Sequence, residues 1–152
     1  MSRMKNLLWM GVGTFALLAS LNAPAAELIS FGGASYHFER DLGHNEFNYG
    51  LGYERDINAD LSVSAGVYKN SLRRASFYLL GNYYLFAPGS GFRLGATGGL
   101  MSGYHRAAVI PVLMPTIEWR GERLAVQAFA VPTVKPYVDG ALVVQLKYQY
   151  GK

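Results

Sequence analysis

From Ala141 to Tyr150 the chain reads Ala-Leu-Val-Val-Gln-Leu-Lys-Tyr-Gln-Tyr, and no other stretch constrains the fold as much. In an extended strand successive side chains point to opposite faces. Leu142, Val144, Leu146, Tyr148 and Tyr150 therefore share one face, and Gln145, Lys147 and Gln149 share the other. An alternating segment of about ten residues ending in aromatics is what a β-strand needs to cross an outer membrane.

Seven more segments alternate in the same way, at 28–39, 47–56, 61–70, 75–86, 92–104, 109–120 and 123–133. In the second, Phe47, Tyr49, Leu51 and Tyr53 oppose Asn48, Gly50, Gly52 and Glu54. In the third, Leu61, Val63, Ala65 and Val67 oppose Ser62, Ser64, Gly66 and Tyr68. Eight such segments predict an all-β fold, an eight-stranded antiparallel transmembrane β-barrel whose closure leaves no exposed edge. The fifth segment carries Gly95, Gly98, Gly99 and Gly103, which suit a tightly curved wall. Alternation does not by itself say which face points inward. A soluble lipocalin-like carrier would be apolar inside, but the aromatic endings and the opposing Gly, Ser, Asn and Gln favour lipid on the outside.

The beginning of the chain fits export. Arg3 and Lys5 precede an apolar run from Leu7 to Leu21, then Asn22-Ala23-Pro24-Ala25-Ala26, the layout of a secretory signal peptide with cleavage expected after Ala25. Residues 1–25 are thus assigned to the signal and 26–152 to one barrel domain. The formal charge is +4, and removing Arg3 and Lys5 with the signal leaves about +2, too mild to point to nucleic acid. No cysteine is present, which excludes disulfides and thiolate chemistry. The three histidines, His37, His44 and His105, are scattered and suggest no metal site, and no cofactor is expected. With both termini in the periplasm, 56–60, 87–91 and 121–122 become periplasmic turns. The outer side receives 40–46, 71–74, 105–108 and 134–140.

Three segments carry a family resemblance: Ser35-Tyr36-His37-Phe38 with Asn45-Glu46 ahead of Gly50-Leu51-Gly52, then Val67-Tyr68-Lys69-Asn70-Ser71, then Ile110-Pro111-Val112-Leu113-Met114-Pro115. In order and spacing they resemble the PagP family of outer-membrane lipid A palmitoyltransferases, which move a palmitoyl chain from a phospholipid to lipid A. The resemblance implies a monomer integral to the outer membrane, with phospholipid and lipid A as its partners. It places the family's histidine at His37 and its serine at Ser71. A histidine in reach of a hydroxyl, that of Ser71 or of the acceptor sugar, could take its proton as it attacks an ester carbonyl. His37 could equally be a girdle or loop histidine, and Ser71 a serine that caps its own loop. The family has an aspartate before the serine, and here the residue is Asn70. An amide can orient an imidazole but cannot stabilise an imidazolium as a carboxylate does. Glu39, Asp41 and Glu46 lie close in sequence as candidate replacements.

Proline lacks a backbone donor and interrupts a sheet ladder. Pro111 and Pro115 in the sixth strand, with Pro132 and Pro136 near the end of the seventh, are expected to weaken the outer half of the wall. In the resembled family such gaps are lateral gates for lipid, and Pro111, Pro115 and Pro132 are the gate candidates here. The alternative is that these prolines only shape loop ends. Gly50, Gly52, Gly66 and Gly99 could leave room for an acyl chain or relieve crowding in a filled barrel. Arg73, Arg74, His105 and Arg106 could meet lipid A phosphates or be ordinary loop charge. A barrel of the same build without chemistry, serving as a surface, adhesion or membrane-stabilising protein, is the competing function.

Overall fold

The computed structural model describes residues 25–104 and 108–151. Apart from Ala25, the expected signal segment lies outside them, as do His105 and Arg106. The chain forms eight strands, β1 (Glu27–His37), β2 (Phe47–Asp56), β3 (Leu61–Lys69), β4 (Ala75–Gly89), β5 (Phe92–Ser102), β6 (Val109–Arg120), β7 (Leu124–Val131) and β8 (Ala141–Gly151). Each pairs antiparallel with the next, and β8 returns to β1 from His37–Ala141 to Glu27–Gly151, closing the barrel. The expected strands are all present. The clearest difference is at 87–91, expected as a loop, where β4 runs on to Gly89. Ser90 and Gly91 both have positive φ, 54° and 82°. Two left-handed central residues match the right-handed twist of a hairpin, so the turn needs only those two residues.

The apolar faces point outward, as the aromatic strand ends led one to expect. Phe47, Tyr49, Leu51 and Tyr53 on β2, Phe77, Leu79, Tyr83 and Leu85 on β4, and Leu142, Val144, Leu146 and Tyr150 on β8 are exposed on the outer surface. Their alternation partners Asn48, Glu54, Ser76, Asn82, Lys147 and Gln149 are buried inside. A surface this apolar belongs in lipid. Along the strand register Tyr36, Phe47, Tyr49 and Phe77 lie toward the end of the long connections, and Tyr53, Tyr83, Phe92, Trp119 and Tyr150 toward the end of the tight turns. Aliphatic residues such as Leu51, Leu79, Leu113 and Val144 fill the band between them. Two aromatic girdles around an aliphatic band are the outer profile of a membrane barrel.

The half of the lumen nearest the tight turns is filled. Lys147, fully buried, bonds Glu54 and, at 2.9 Å, Glu118. Glu118 also accepts from Arg93 at 2.5 Å and Arg120 at 2.9 Å, and Arg120 reaches Asp56 at 2.6 Å. Three cations thus meet three carboxylates, so each desolvated charge has partners, as burial requires. Above them Asn82, Thr97, Thr116 and Gln127 share hydrogen bonds of 2.7–3.0 Å. Asn82 and Gln127 form the floor of a cavity that opens toward the long connections.

Two glycine positions show why the wall can be so narrow. At Gly32 β1 bulges between Ser30 and its next ladder partner, φ is 78°, and an added Cβ would lie 2.2 Å from the Asn48 carbonyl oxygen. Gly52 faces Gly66 across β2 and β3, and a Cβ on either would strike the Tyr78 hydroxyl, at 1.9 and 2.6 Å. That hydroxyl bonds Ser30 Oγ at 3.0 Å. At Gly52 and Gly66 the vacated space therefore holds a tyrosine ring of the chain itself.

Candidate functional site

Among the described residues, the wall has a weak seam beside the cavity. The β6–β7 ladder runs from Arg120–Ala125 only as far as Thr116–Phe129. Val109–Pro115 therefore has no ladder partner on β7, although its other edge pairs with β5 up to Ser102–Val109. On its far side β7 pairs with β8 up to Val131–Ala141. Pro111 and Pro115 remove two donors from the unpaired length, and Pro132 follows the last residue of β7. Ile110, Pro111, Val112, Leu113 and Met114 all border the cavity, although alternate ones point outward. The cavity, about 390 Å³, thus reaches the wall at the seam.

At its mouth the cavity is bordered by residues from four separate connections. His37 ends β1 with its side chain inward, 6% exposed, and its Nδ1 is buried with no hydrogen-bond partner. The His44 ring, from the β1–β2 connection, lies 4.4 Å from it between centroids, tilted by 34°. His44 Nε2 is 3.1 Å from Asp139 Oδ2, a residue of the β7–β8 connection. Ser71, just beyond β3, borders the same cavity, as does Tyr104. Tyr104 in turn meets the Tyr68 hydroxyl at 2.7 Å. Burial raises the Tyr104 phenol above its ordinary value, which keeps it a hydrogen-bond donor.

Hydrogen bonds to backbone carbonyls hold two of these connections together. Asn45 N–H donates to the Ser71 carbonyl at 2.8 Å, Asn45 Nδ2 to that of Asn70 at 3.2 Å, and Arg73 to that of Gly43 at 2.9 Å. The segment carrying His44 is therefore fastened to the segment carrying Ser71. Lys135 bonds Glu39, and Asp139 at 3.3 Å. Burial alone would raise the Asp139 carboxyl, but hydrogen bonds from His44 and Lys135 outweigh it and hold it below its ordinary value. The hydrogen bond to Glu39 holds the Lys135 amine above its own.

His37 and Ser71 are thus brought to one cavity, while Asn70 is committed elsewhere. Its Oδ1 accepts from the backbone N–H of Leu72 at 2.9 Å and of Arg74 at 3.0 Å. Its Nδ2 donates to Ser76 Oγ and the Gly103 carbonyl, both at 2.9 Å. Fully buried, Asn70 organises the turn before β4. Of the nearby acids, Glu46 is engaged by Arg40 and the His37 backbone N–H, and Glu39 by Lys135. Sequence reading missed the pairing of His44 with Asp139, residues 95 apart along the chain. The only available hint was that both lie in connections assigned to the same end of the barrel.

Comparison with known proteins bears on the fold. A de novo designed barrel, TMB2.3, solved in solution, superposes with a TM-score of 0.64 at 13% identity, covering 86% of this chain and 99% of that one. The N-terminal β-barrel domain of Pseudomonas aeruginosa OprF superposes with a TM-score of 0.50, also at 13% identity, covering 84% of this chain and 98% of that one. No family model and no curated protein sequence matches the chain. The fold is an eight-stranded barrel of outer-membrane type. Likeness at this identity extends to the fold and no further.

Proposed function

We propose that this chain is an outer-membrane acyltransferase that moves an acyl chain from a phospholipid to lipid A. What carries the proposal is the meeting of the β6–β7 seam with a largely apolar cavity that has histidine and serine at its mouth. A chain that slips between Val109–Pro115 and β7 leaves the lipid without crossing the polar rim, with Pro111, Pro115 and Pro132 as the gate. Inside, it meets Ile110, Val112, Met114, Phe129 and Val143. The polar network under Asn82 and Gln127 stops it from passing through. Its ester carbonyl is then left near the mouth, where a histidine can take the proton of an attacking hydroxyl. His37 and Ser71 are the residues that the PagP resemblance assigns to this step. Export by way of the 1–25 signal would bring the protein to the outer membrane, where it would act as a monomer.

Mass spectrometry of lipid A from cells with and without the gene tests the proposal. The expected outcome is one additional acyl chain that depends on the gene and is lost in Ser71→Ala. An acyl pattern that the gene does not change would leave a surface or membrane-stabilising barrel without chemistry.

A further inference from the structure

Acyl transfer by His37 and Ser71 alone lacks a carboxylate. A general base becomes a cation when it takes a proton, and a carboxylate bonded to its second ring nitrogen both orients it and stabilises that cation. Asn70 supplies no charge, and its amide is fully occupied in its own turn. Glu46 meets His37 through the backbone N–H, not through the ring.

The histidine that does have a carboxylate is His44, bonded through Nε2 to Asp139 at 3.1 Å. Asp139 is held by Lys135, and its neighbour Gly140 accepts from Phe38 N–H at 3.0 Å, so the β7–β8 connection is fastened to the end of β1. The Asn45–Ser71 backbone bond places the residue after His44 directly against the serine's own carbonyl. Ser71, His44 and Asp139 all border the cavity into which the β6–β7 seam leads.

We propose that Ser71, His44 and Asp139 form the catalytic constellation of this barrel, with His44 as the general base and Asp139 as its positioning residue. The proposal rests on the acyl-transfer function above and deepens it. The carboxylate missing at position 70 is then supplied from another connection of the same barrel mouth. Ser71 Oγ attacks the phospholipid ester carbonyl while His44 Nδ1 takes the hydroxyl proton. The bond to the glycerol oxygen breaks, that oxygen receives the proton from His44, and a lysophospholipid leaves an acyl-serine behind. The acceptor hydroxyl then attacks the acyl-serine, passing its proton through His44 back to Ser71 Oγ. His37 packs against the His44 ring and leaves its unpartnered Nδ1 free for the substrate.

The test uses the whole barrel refolded in mixed micelles with a diacyl phosphatidylcholine as donor and lipid A as acceptor. Lysophospholipid and acylated lipid A are both measured. Heat-modifiable gel migration confirms that each variant is folded. Asp139→Asn should lower transfer by on the order of 10⁴-fold, as the analogous change does in serine hydrolases, His44→Ala by at least as much, and His37→Ala by much less. Asp139→Asn should also shift the acid limb of the pH–rate profile, and Asp139→Glu should restore part of the rate. The other charged groups around the pair, Arg40, Glu46, Glu39 and Lys135, stay the same in every variant. An active parent whose folded Asp139→Asn variant keeps its rate and pH profile overturns the constellation alone. So does loss of activity in His37→Ala with His44→Ala unaffected. A parent that transfers nothing overturns the acyl-transfer function as well.

Discussion

At the scale of single residues, Asn70 best separates resemblance from structure. An aspartate stands at this position in the PagP family, so Asn70→Asp looks like a repair. Here it would remove the Nδ2 donor that Ser76 Oγ and the Gly103 carbonyl both accept from, and set a carboxylate against that carbonyl. Leaving buried polar groups unpaired costs about 1–3 kcal/mol. The expected outcome of Asn70→Asp is a lower urea midpoint for unfolding from lipid vesicles, with no gain in acyl transfer. Position 70 was legible in the sequence as a departure, but its role was not. Four bonds to turn and strand partners, one of them 33 residues away, decide it.

At the scale of elements, β6 and the β7–β8 connection behave differently from the rest of the wall. Amides of Val109–Pro115 that do not face β5 lack a ladder partner, whereas Thr116–Trp119 are paired on both edges. Hydrogen exchange in micelles should therefore be fast at part of 109–115 and slow throughout 116–119. Uniform protection along β6 would argue against a seam. The prolines announced this weakness in the sequence. Only the register showed that it is confined to the β7 side and lies over the cavity. The β7–β8 connection is held by charge. Because the Asp139 carboxyl lies below its ordinary value, its contribution is complete above the usual carboxylate range and is lost as pH falls through the depressed value. Because the Lys135 amine lies above its ordinary value, its contribution is complete below that ordinary value and is lost as pH rises through the raised one. A spin label replacing Tyr137 should accordingly be most immobile around neutrality and gain mobility in acid and in strong base.

At the scale of the whole molecule, the lumen is a stopped vessel. The network of Lys147, Glu54, Glu118, Arg93, Arg120 and Asp56 fills the half toward the tight turns. Purified protein inserted into a planar bilayer should therefore give no steady conductance. Lys147→Met removes the ammonium that Glu54 and Glu118 share, leaving them only the arginines, and breaking a buried pair costs up to about 3–5 kcal/mol. That variant should unfold at a clearly lower urea concentration, as followed by the gel shift. Sequence reading assigned Lys147 to the polar face of β8 and Glu54 to that of β2, but paired neither with anything. Their 93-residue separation is bridged only when the barrel closes.

The sequence by itself determined the architecture, because a strand's side-chain period of two is a local property. Eight stretches of alternating polarity sufficed to set strand number, approximate bounds and an apolar face. The aromatic strand ends and the small polar residues opposite them already pointed to an outward apolar face, but which residues met inside was decided only by closure. Ring closure brings β1 beside β8 and fastens the connection carrying His44 to that carrying Ser71. It also brings Asp139 to His44. Such contacts depend on register and curvature summed around all eight strands, and no local pattern encodes that sum.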